Sequence, residues 1–141
     1  MTITEHNKMT QSLPPRYDAL TIGLRFAQRE AMWGRIDRRV DEMMEQGLVE
    51  EVRGVLERGV PANCTAMQAI GYKEMVQAVM NNGDVAAAAE EVKLRSRQYA
   101  KRQLTWFRRN QATRWHEWGE LPDFQEALRT STRYMEENGI L

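Results

Sequence analysis

Apolar side chains recur along this chain at two different periods. In ALTIGLRF (19 to 26), Leu20, Ile22 and Leu24 return to one side every second residue, which predicts a short strand. From about 28 to 46, Trp33, Ile36, Val40, Met43 and Met44 recur every three or four residues, and Gly47 follows where a helix stops. Leu48, Val49, Val52, Val55 and Leu56 predict a second helix over 48–58, closed by Gly59 and Pro61, so the two form a hairpin. Thr65 with Gln68 three positions on is a capping-box pattern for a helix over 66–80. Asn81-Asn82-Gly83 then breaks the chain, and Asp84 caps a long helix over 85–109. Trp115 to Trp118 reads as a short extended segment. Pro122 starts a last helix over 122–137 with Phe124, Ala127, Leu128 and Tyr134 or Met135 facing inward.

The expected fold is therefore mainly α, one mostly helical domain over 19–141. Residues 1–18, polar and ending in Leu13-Pro14-Pro15, read as an extended linker. No second convincing strand follows the first. The strand at 19–26 is thus expected to be an orphan that pairs with another chain, or with strands of a sheet lying elsewhere, and its open edge makes self-association a possible outcome.

The long helix over 85–109 carries most of the information. At about 100° per residue, Val85, Ala88, Ala89, Val92, Tyr99, Ala100, Trp106 and Phe107 fall in one arc, which is expected to be buried. Lys93, Arg97, Lys101 and Arg108 line another side, extended by Arg95, Arg102 and Arg109. Overall charge is zero, from 20 basic and 20 acidic residues, yet the 22 residues from Lys93 to Arg114 carry eight cations and no acid. Without intervening acids those cations repel one another, a cost that an anionic partner such as RNA phosphate would offset.

Other chemistry is sparse. Neither GxxxxGK[ST], GxGxxG nor HExxH occurs. The single Cys64 excludes an intrachain disulfide framework, and reads as a small packed residue. His6 reads as exposed and His116 as a satisfied structural residue, while Met43, Met44, Met67, Met75 and Met80 read as core filling. No apolar run is long enough for a membrane span, and MTITEHNKMTQS resembles no secretory signal, so the expected location is cytoplasmic.

Three strings in order, RIDRRVDEMMEQGLVEEV (35 to 52), AMQAIGYKE (66 to 74) and RSRQYAKRQLTWFRR (95 to 109), strongly resemble the C-terminal part of the tRNA dimethylallyltransferase (tRNA isopentenyltransferase) family. The resemblance runs from EHNKMTQSLPPRYDALTIGL to about Trp118. It implies the helical C-terminal portion of a P-loop-type α/β enzyme that transfers a dimethylallyl group from dimethylallyl diphosphate to N6 of the adenosine 3′ of the anticodon. The family's P-loop, its Mg²⁺ and its general-base Asp belong to an N-terminal half that has no counterpart in these 141 residues. This chain alone is therefore expected to bind a tRNA anticodon stem-loop without catalysis, with no cofactor of its own, and dimethylallyl diphosphate only together with that half.

The resemblance also implies site residues. Gln68, Ala69, Ile70, Gly71, Tyr72 and Lys73 match one tRNA-contacting segment, in which Ile70 and Tyr72 read equally as core. Lys101, Arg102, Gln103, Leu104, Thr105, Trp106, Phe107 and Arg108 match a second; there Lys101, Arg102 and Arg108 suit phosphates, and Gln103 or Thr105 a base or sugar. Arg39 and Arg35 match a motif that reaches the diphosphate. From charge alone the two arginines could equally pair with Asp37, Asp41 or Glu42 on a solvated face. The competing readings are a non-enzymatic helical RNA-binding module and a helical protein-association module.

Overall fold

Four consecutive alanines behind a capping aspartate start the longest element. In the computed structural model, which describes residues 2–11, 14 and 17–141, six helices and two strands are found among the described residues. The helices are α1 (Ile3–Gln11), α2 (Arg29–Glu45), α3 (Leu48–Glu57), α4 (Tyr72–Met80), α5 (Val85–Phe107) and α6 (Phe124–Glu137). The strands are β1 (Ile22–Phe26) and β2 (Arg114–Trp118). Asp84 Oδ1 accepts from the Ala86 and Ala87 amides at 2.8 and 3.2 Å, and Ala86 to Ala89 supply the residue with the least resistance to helix formation.

The core is a four-helix cluster with α5 as its spine. Helices α2 and α4 pack on α5, and α3 packs on α4 and α2. Val40, Leu48, Val52, Met67, Met75, Val76 and Val92 are buried there, with Met43, Met44 and Cys64 partly buried around them. Met80 departs from the expected core set and is exposed, because α4 ends there.

Four expectations need correction. The strand is not an orphan: β1 and β2 pair in parallel, from Ile22 opposite Arg114 to Phe26 opposite Trp118. The Arg114 amide donates to Thr21 O and the Ala27 amide to Trp118 O, and an Arg25–Glu117 ion pair crosses the ladder. The partner is the segment read only as extended, so the premise for self-association through an orphan strand falls. Gly23 is required here, because a Cβ would come within 2.6 Å of the Trp115 ring.

Secondly, part of the expected linker is helix α1, stabilised by a reciprocal cap in which the Glu5 amide donates to Thr2 Oγ1 and the Thr2 amide to Glu5 Oε2. Leu13 and Pro15 lie outside the described residues.

Thirdly, the helix expected over 66–80 is two pieces. Thr65–Gln68 form a 3₁₀ turn, Ala69 is extended, and α4 begins only after Gly71. The box that forms is not at Thr65: Glu74 Oε2 accepts from the Gly71 amide at 2.8 Å. Gly71 is buried with φ +97, a conformation side chains resist.

Finally, α6 begins at Phe124 rather than Pro122, with Asp123 Oδ1 accepting from the Glu126 amide at 2.9 Å. Ala127 is buried, and Tyr134 and Met135 are half-buried, whereas Phe124 and Leu128 are exposed. The helix rests mainly on β2, and Phe124 and Leu128 stay uncovered.

Replacing Gly71 by Ala should cost about 1–3 kcal/mol through backbone strain. Urea denaturation followed by circular dichroism checks this, and a cost near zero would show that the turn relaxes freely.

Candidate nucleic-acid interface

Helices α2 and α5 are antiparallel, and acids on the first meet cations on the second. Arg97 Nη1 donates to both Asp37 carboxylate oxygens, at 2.6 and 2.7 Å. One turn away, Lys93 Nζ reaches Asp41 Oδ1 and Glu90 Oε1, each at 2.7 Å. The two carboxylates accepting its protons hold the Lys93 ammonium well above the usual lysine range, so it remains charged at any working pH. Arg95 Nε pairs with Glu91 at 2.6 Å, and Arg114 Nη2 with Glu137 at 2.8 Å.

These pairs overturn the expectation of seven uncompensated cations on one side of the helix. Lys93, Arg95, Arg97 and Arg114 are neutralised, all four by acids outside that window, on α2, on α6 or in the first turns of α5. Lys101, Arg102, Arg108 and Arg109 are exposed and make no ion pair among the described residues. The available charge is thus concentrated in the last two turns of α5.

A second correction concerns the aromatic residues. Tyr99 is 49% exposed, Trp106 63% and Phe107 49%, against the expectation that all three are buried. The core cluster closes over α5 around Ala89 and Val92; farther along, α2 flanks the helix at Met32 and Trp33 but leaves these three rings uncovered. Trp106 and Phe107 meet edge to face with centroids 5.0 Å apart.

The two other groups of candidate residues converge on a groove of about 740 Å³. Its walls include Arg35 and Arg39 from α2, Gln68 and Ile70 from the exposed turn, and Tyr99 and Gln103 from α5. Ser96, Tyr99 and Gln103 continue the stripe begun by buried Val92 at spacings of three and four, the signal by which the groove face of α5 could have been read. Gln68 and Ile70 also border a second groove of about 580 Å³, where Lys73, Arg95 and Arg102 are found. The turn therefore stands as a rib between two clefts.

The remaining candidates have definite places. Arg39 lies 3.6 Å from Glu42, while Arg35 makes no ion pair among the described residues. Asp37 and Asp41, the rival acids, are occupied by α5. Ala69 and Lys73 are exposed, and so is Ile70, which is not core. Gly71 is buried in the turn, and half-buried Tyr72 donates its hydroxyl to Glu51 of α3. Leu104 is half-buried under β1. The Thr105 hydroxyl donates to Lys101 O at 2.9 Å, which leaves it only acceptor capacity toward a ligand. Of the histidines, His116 is buried at the sheet. No helix among the described residues is long and apolar enough to cross a membrane.

A helical cluster beside a two-stranded parallel ladder thus brings arginines of α2, amides of the turn and the flank of α5 to one groove. The chain belongs to the IPP transferase family, which matches residues 1–110. It is 44% identical over 116 residues to the tRNA dimethylallyltransferase of Oceanobacillus iheyensis, covering 82% of this chain and 36% of that protein. To the tRNA dimethylallyltransferase of Thermoanaerobacter sp. it is 37% identical over 134 residues, covering 94% of this chain and 42% of that protein. The solved full-length tRNA isopentenylpyrophosphate transferase of Bacillus halodurans superposes with a TM-score of 0.76 at 34% identity, over 96% of this chain and 45% of that one. The Staphylococcus epidermidis tRNA delta(2)-isopentenylpyrophosphate transferase gives 0.76 at 36% identity, over 98% and 44%. The chain thus spans less than half the length of these relatives, and it matches their C-terminal portion.

The Tyr72–Glu51 contact has a measurable consequence. Donation to the Glu51 carboxylate, then burial and the charge of Glu51, hold the phenol above its ordinary value of 10.0, against a smaller opposing effect of Arg58. A raised folded value means stability present below the unfolded pKa and lost as pH rises through the folded one. Wild type should therefore lose more stability than Tyr72→Phe between about pH 9 and 11; parallel urea titrations at the two ends of that window measure it.

Proposed function

We propose that this chain is the tRNA-gripping part of a tRNA dimethylallyltransferase. The observation that carries the reading is the groove, in which residues far apart in sequence, Arg35 and Arg39, Gln68 to Ile70, and Gln103, line one cavity beside a basic helix end. The chemistry of the complete enzyme requires a polyanionic RNA to be held, the target adenosine to be withdrawn from its stack, and a departing diphosphate to be neutralised. Residues of this chain are suited to the first and third tasks.

Lys101, Arg102 and Arg108 supply charge for phosphates and fix the position of the RNA without reading its sequence. Lys73 extends that footing across the second groove. The rib Gln68–Ala69–Ile70 offers amide and backbone groups at the cleft, with Gly71 allowing the chain to turn sharply away from it. Gln103 presents both donor and acceptor to a base or sugar, and Thr105 an acceptor. Arg35, which makes no ion pair among the described residues, is better placed to meet a diphosphate than Arg39, which lies beside Glu42.

Mg²⁺ acts with the diphosphate in the family, but the groove does not fit it. Its polar wall is guanidinium, amide and hydroxyl, which repels a cation, and no cluster of three metal-ligating side chains is found among the described residues. No step through the metal is derived. The bond-forming step, attack of adenosine N6 on the allylic carbon with loss of diphosphate, belongs to the association of this chain with residues that carry the family's phosphate-binding loop.

Two outcomes follow. Lys101→Ala/Arg102→Ala/Arg108→Ala should weaken tRNA binding strongly and flatten the dependence of log affinity on log salt by roughly two to three, the loss of about three phosphate contacts. Filter binding over a salt series measures both, and an unchanged slope would remove this helix from the reading. The purified chain should also transfer no prenyl group from dimethylallyl diphosphate to tRNA in a radiolabel assay, and turnover by the chain alone would overturn the division of labour.

A further inference from the structure

Gly71 stands at φ +97 and ψ −55, close to the strained form of the γ-turn, and this sharp reversal separates Gln68–Ile70 from α4. Glycine does not impose such a geometry by itself. It has the widest choice of φ and ψ of any residue, so the turn must be held from outside. Two carboxylates do this. Glu74, in the first turn of α4, folds back so that its Oε2 accepts from the Gly71 amide at 2.8 Å. Glu51, in the first turn of α3, accepts from the Tyr72 hydroxyl and ties the residue after the reversal to a different helix. The Lys73 amide donates to Ala69 O at 3.0 Å and the Met75 amide to Gly71 O at 3.2 Å, completing the bracket around Gly71.

A serine at this helix start would cap α4 directly but would resist the positive φ. Glycine with a carboxylate folded back on it gives up the direct cap and gains the reversal, which sets Gln68 and Ile70 between the two grooves. Without its two anchors the glycine would let that rib swing, and a bound RNA would have to order it at a cost in affinity. Charge gives neither acid a reason to be here, since a carboxylate near a polyanion weakens binding. An acid that nonetheless favours RNA binding does so by holding another group in place. Both bonds are made inside this chain and do not depend on what lies against its outer surface.

We infer that Glu74 and Glu51 are positioning residues for RNA binding: acting through the Gly71 amide and the Tyr72 hydroxyl, they hold Gln68–Ile70 in the orientation that meets the RNA. This role rests on the RNA-binding reading above. It goes beyond that reading by giving a task to two acids outside the segments assigned to RNA, and by turning Tyr72 toward Glu51 instead of toward the ligand.

The test titrates a tRNA anticodon stem-loop into the full chain along a salt series. Glu74→Ala and Glu51→Ala should each lower affinity roughly 3- to 10-fold, about the worth of one hydrogen bond, although each removes a charge that repels RNA. Glu74→Gln and Glu51→Gln keep an oxygen that accepts the same bond and should bind nearly as tightly as wild type. Tyr72→Phe should lose as much as Glu51→Ala, and the double variant no more than either, the mark of one shared bond. The salt slope should stay that of wild type, because no phosphate contact is removed, and circular dichroism at the titration temperature checks that each variant is folded. If the Ala variants bind as tightly as wild type or more tightly, while Lys101→Ala/Arg102→Ala/Arg108→Ala loses binding, the positioning role falls and the RNA-binding reading stands. If the Gln variants lose as much as the Ala variants, the hydrogen bonds are not the cause and the positioning role falls likewise. If the wild-type chain does not bind the stem-loop, the RNA-binding reading fails and the positioning role with it.

Discussion

Two ion pairs one helical turn apart, Asp37 with Arg97 and Asp41 with Lys93, set how α2 lies on α5. They run in opposite order along the two helices, which fixes the helices as antiparallel and sets their register to within one turn. Arg97, Asp37 and Lys93 are partly shielded from water while Asp41 is exposed, so the energetic contribution of the pairs is modest. Their larger effect is positional. With that register, Arg35 and Arg39 fall beside Tyr99 and Gln103, and the groove exists. Sliding α2 by one turn would separate the arginines from the amides.

The same contacts divide the basic helix into two parts. Its N-terminal cations are paired in holding the fold, whereas its C-terminal cations, which lie beside Arg29, Met32 and Trp33 of α2 rather than beside its acids, make no ion pair among the described residues. Neither role follows from the count of eight. What decides is whether an acid on another element comes within about 3 Å, and only the packing determines that. The break at Ala69–Gly71 acts in the same way on the opposite wall. By ending one turn and starting α4 afresh, it turns Gln68 and Ile70 outward, where an unbroken helix would have laid Ile70 on the core.

Local signals were legible where one residue type settles the matter. Asp84 with its alanines, Gly47, and the period-two run of β1 each predicted their element. The partner of β1 was not legible, because parallel pairing joins residues 92 positions apart and β2 is a five-residue stretch holding Arg114, His116 and Glu117, which looks nothing like a buried strand. Two capping boxes competed before α4, Thr65 with Gln68 and Glu74 with the Gly71 amide, and the choice rested on a positive φ at Gly71 that sequence does not display. Periodicity placed Tyr99, Trp106 and Phe107 in one buried arc of α5, whereas all three are exposed and border different clefts. Whether an arc is covered, however, depends on where the neighbouring helices end. Of the candidate site, the residue types and segments were readable, whereas the neutralisation of Lys93, Arg95 and Arg97 was not.

Charge repulsion, the argument that first pointed to an anionic partner, turns out to be the weaker part of the case. Like charges three or four residues apart on an exposed helix cost only about 0.2–0.5 kcal/mol. Cations in a last turn recover about 0.3–1 kcal/mol from the helix dipole. Lys101, Arg102, Arg108 and Arg109 can thus sit together at the end of α5 without a counterion, and their clustering alone does not demand a ligand. A half-exposed Phe107 is likewise explained by the open side of the sheet. Trp106 packs edge to face on Phe107 and is otherwise uncovered, on a chain that spans less than half the length of its relatives.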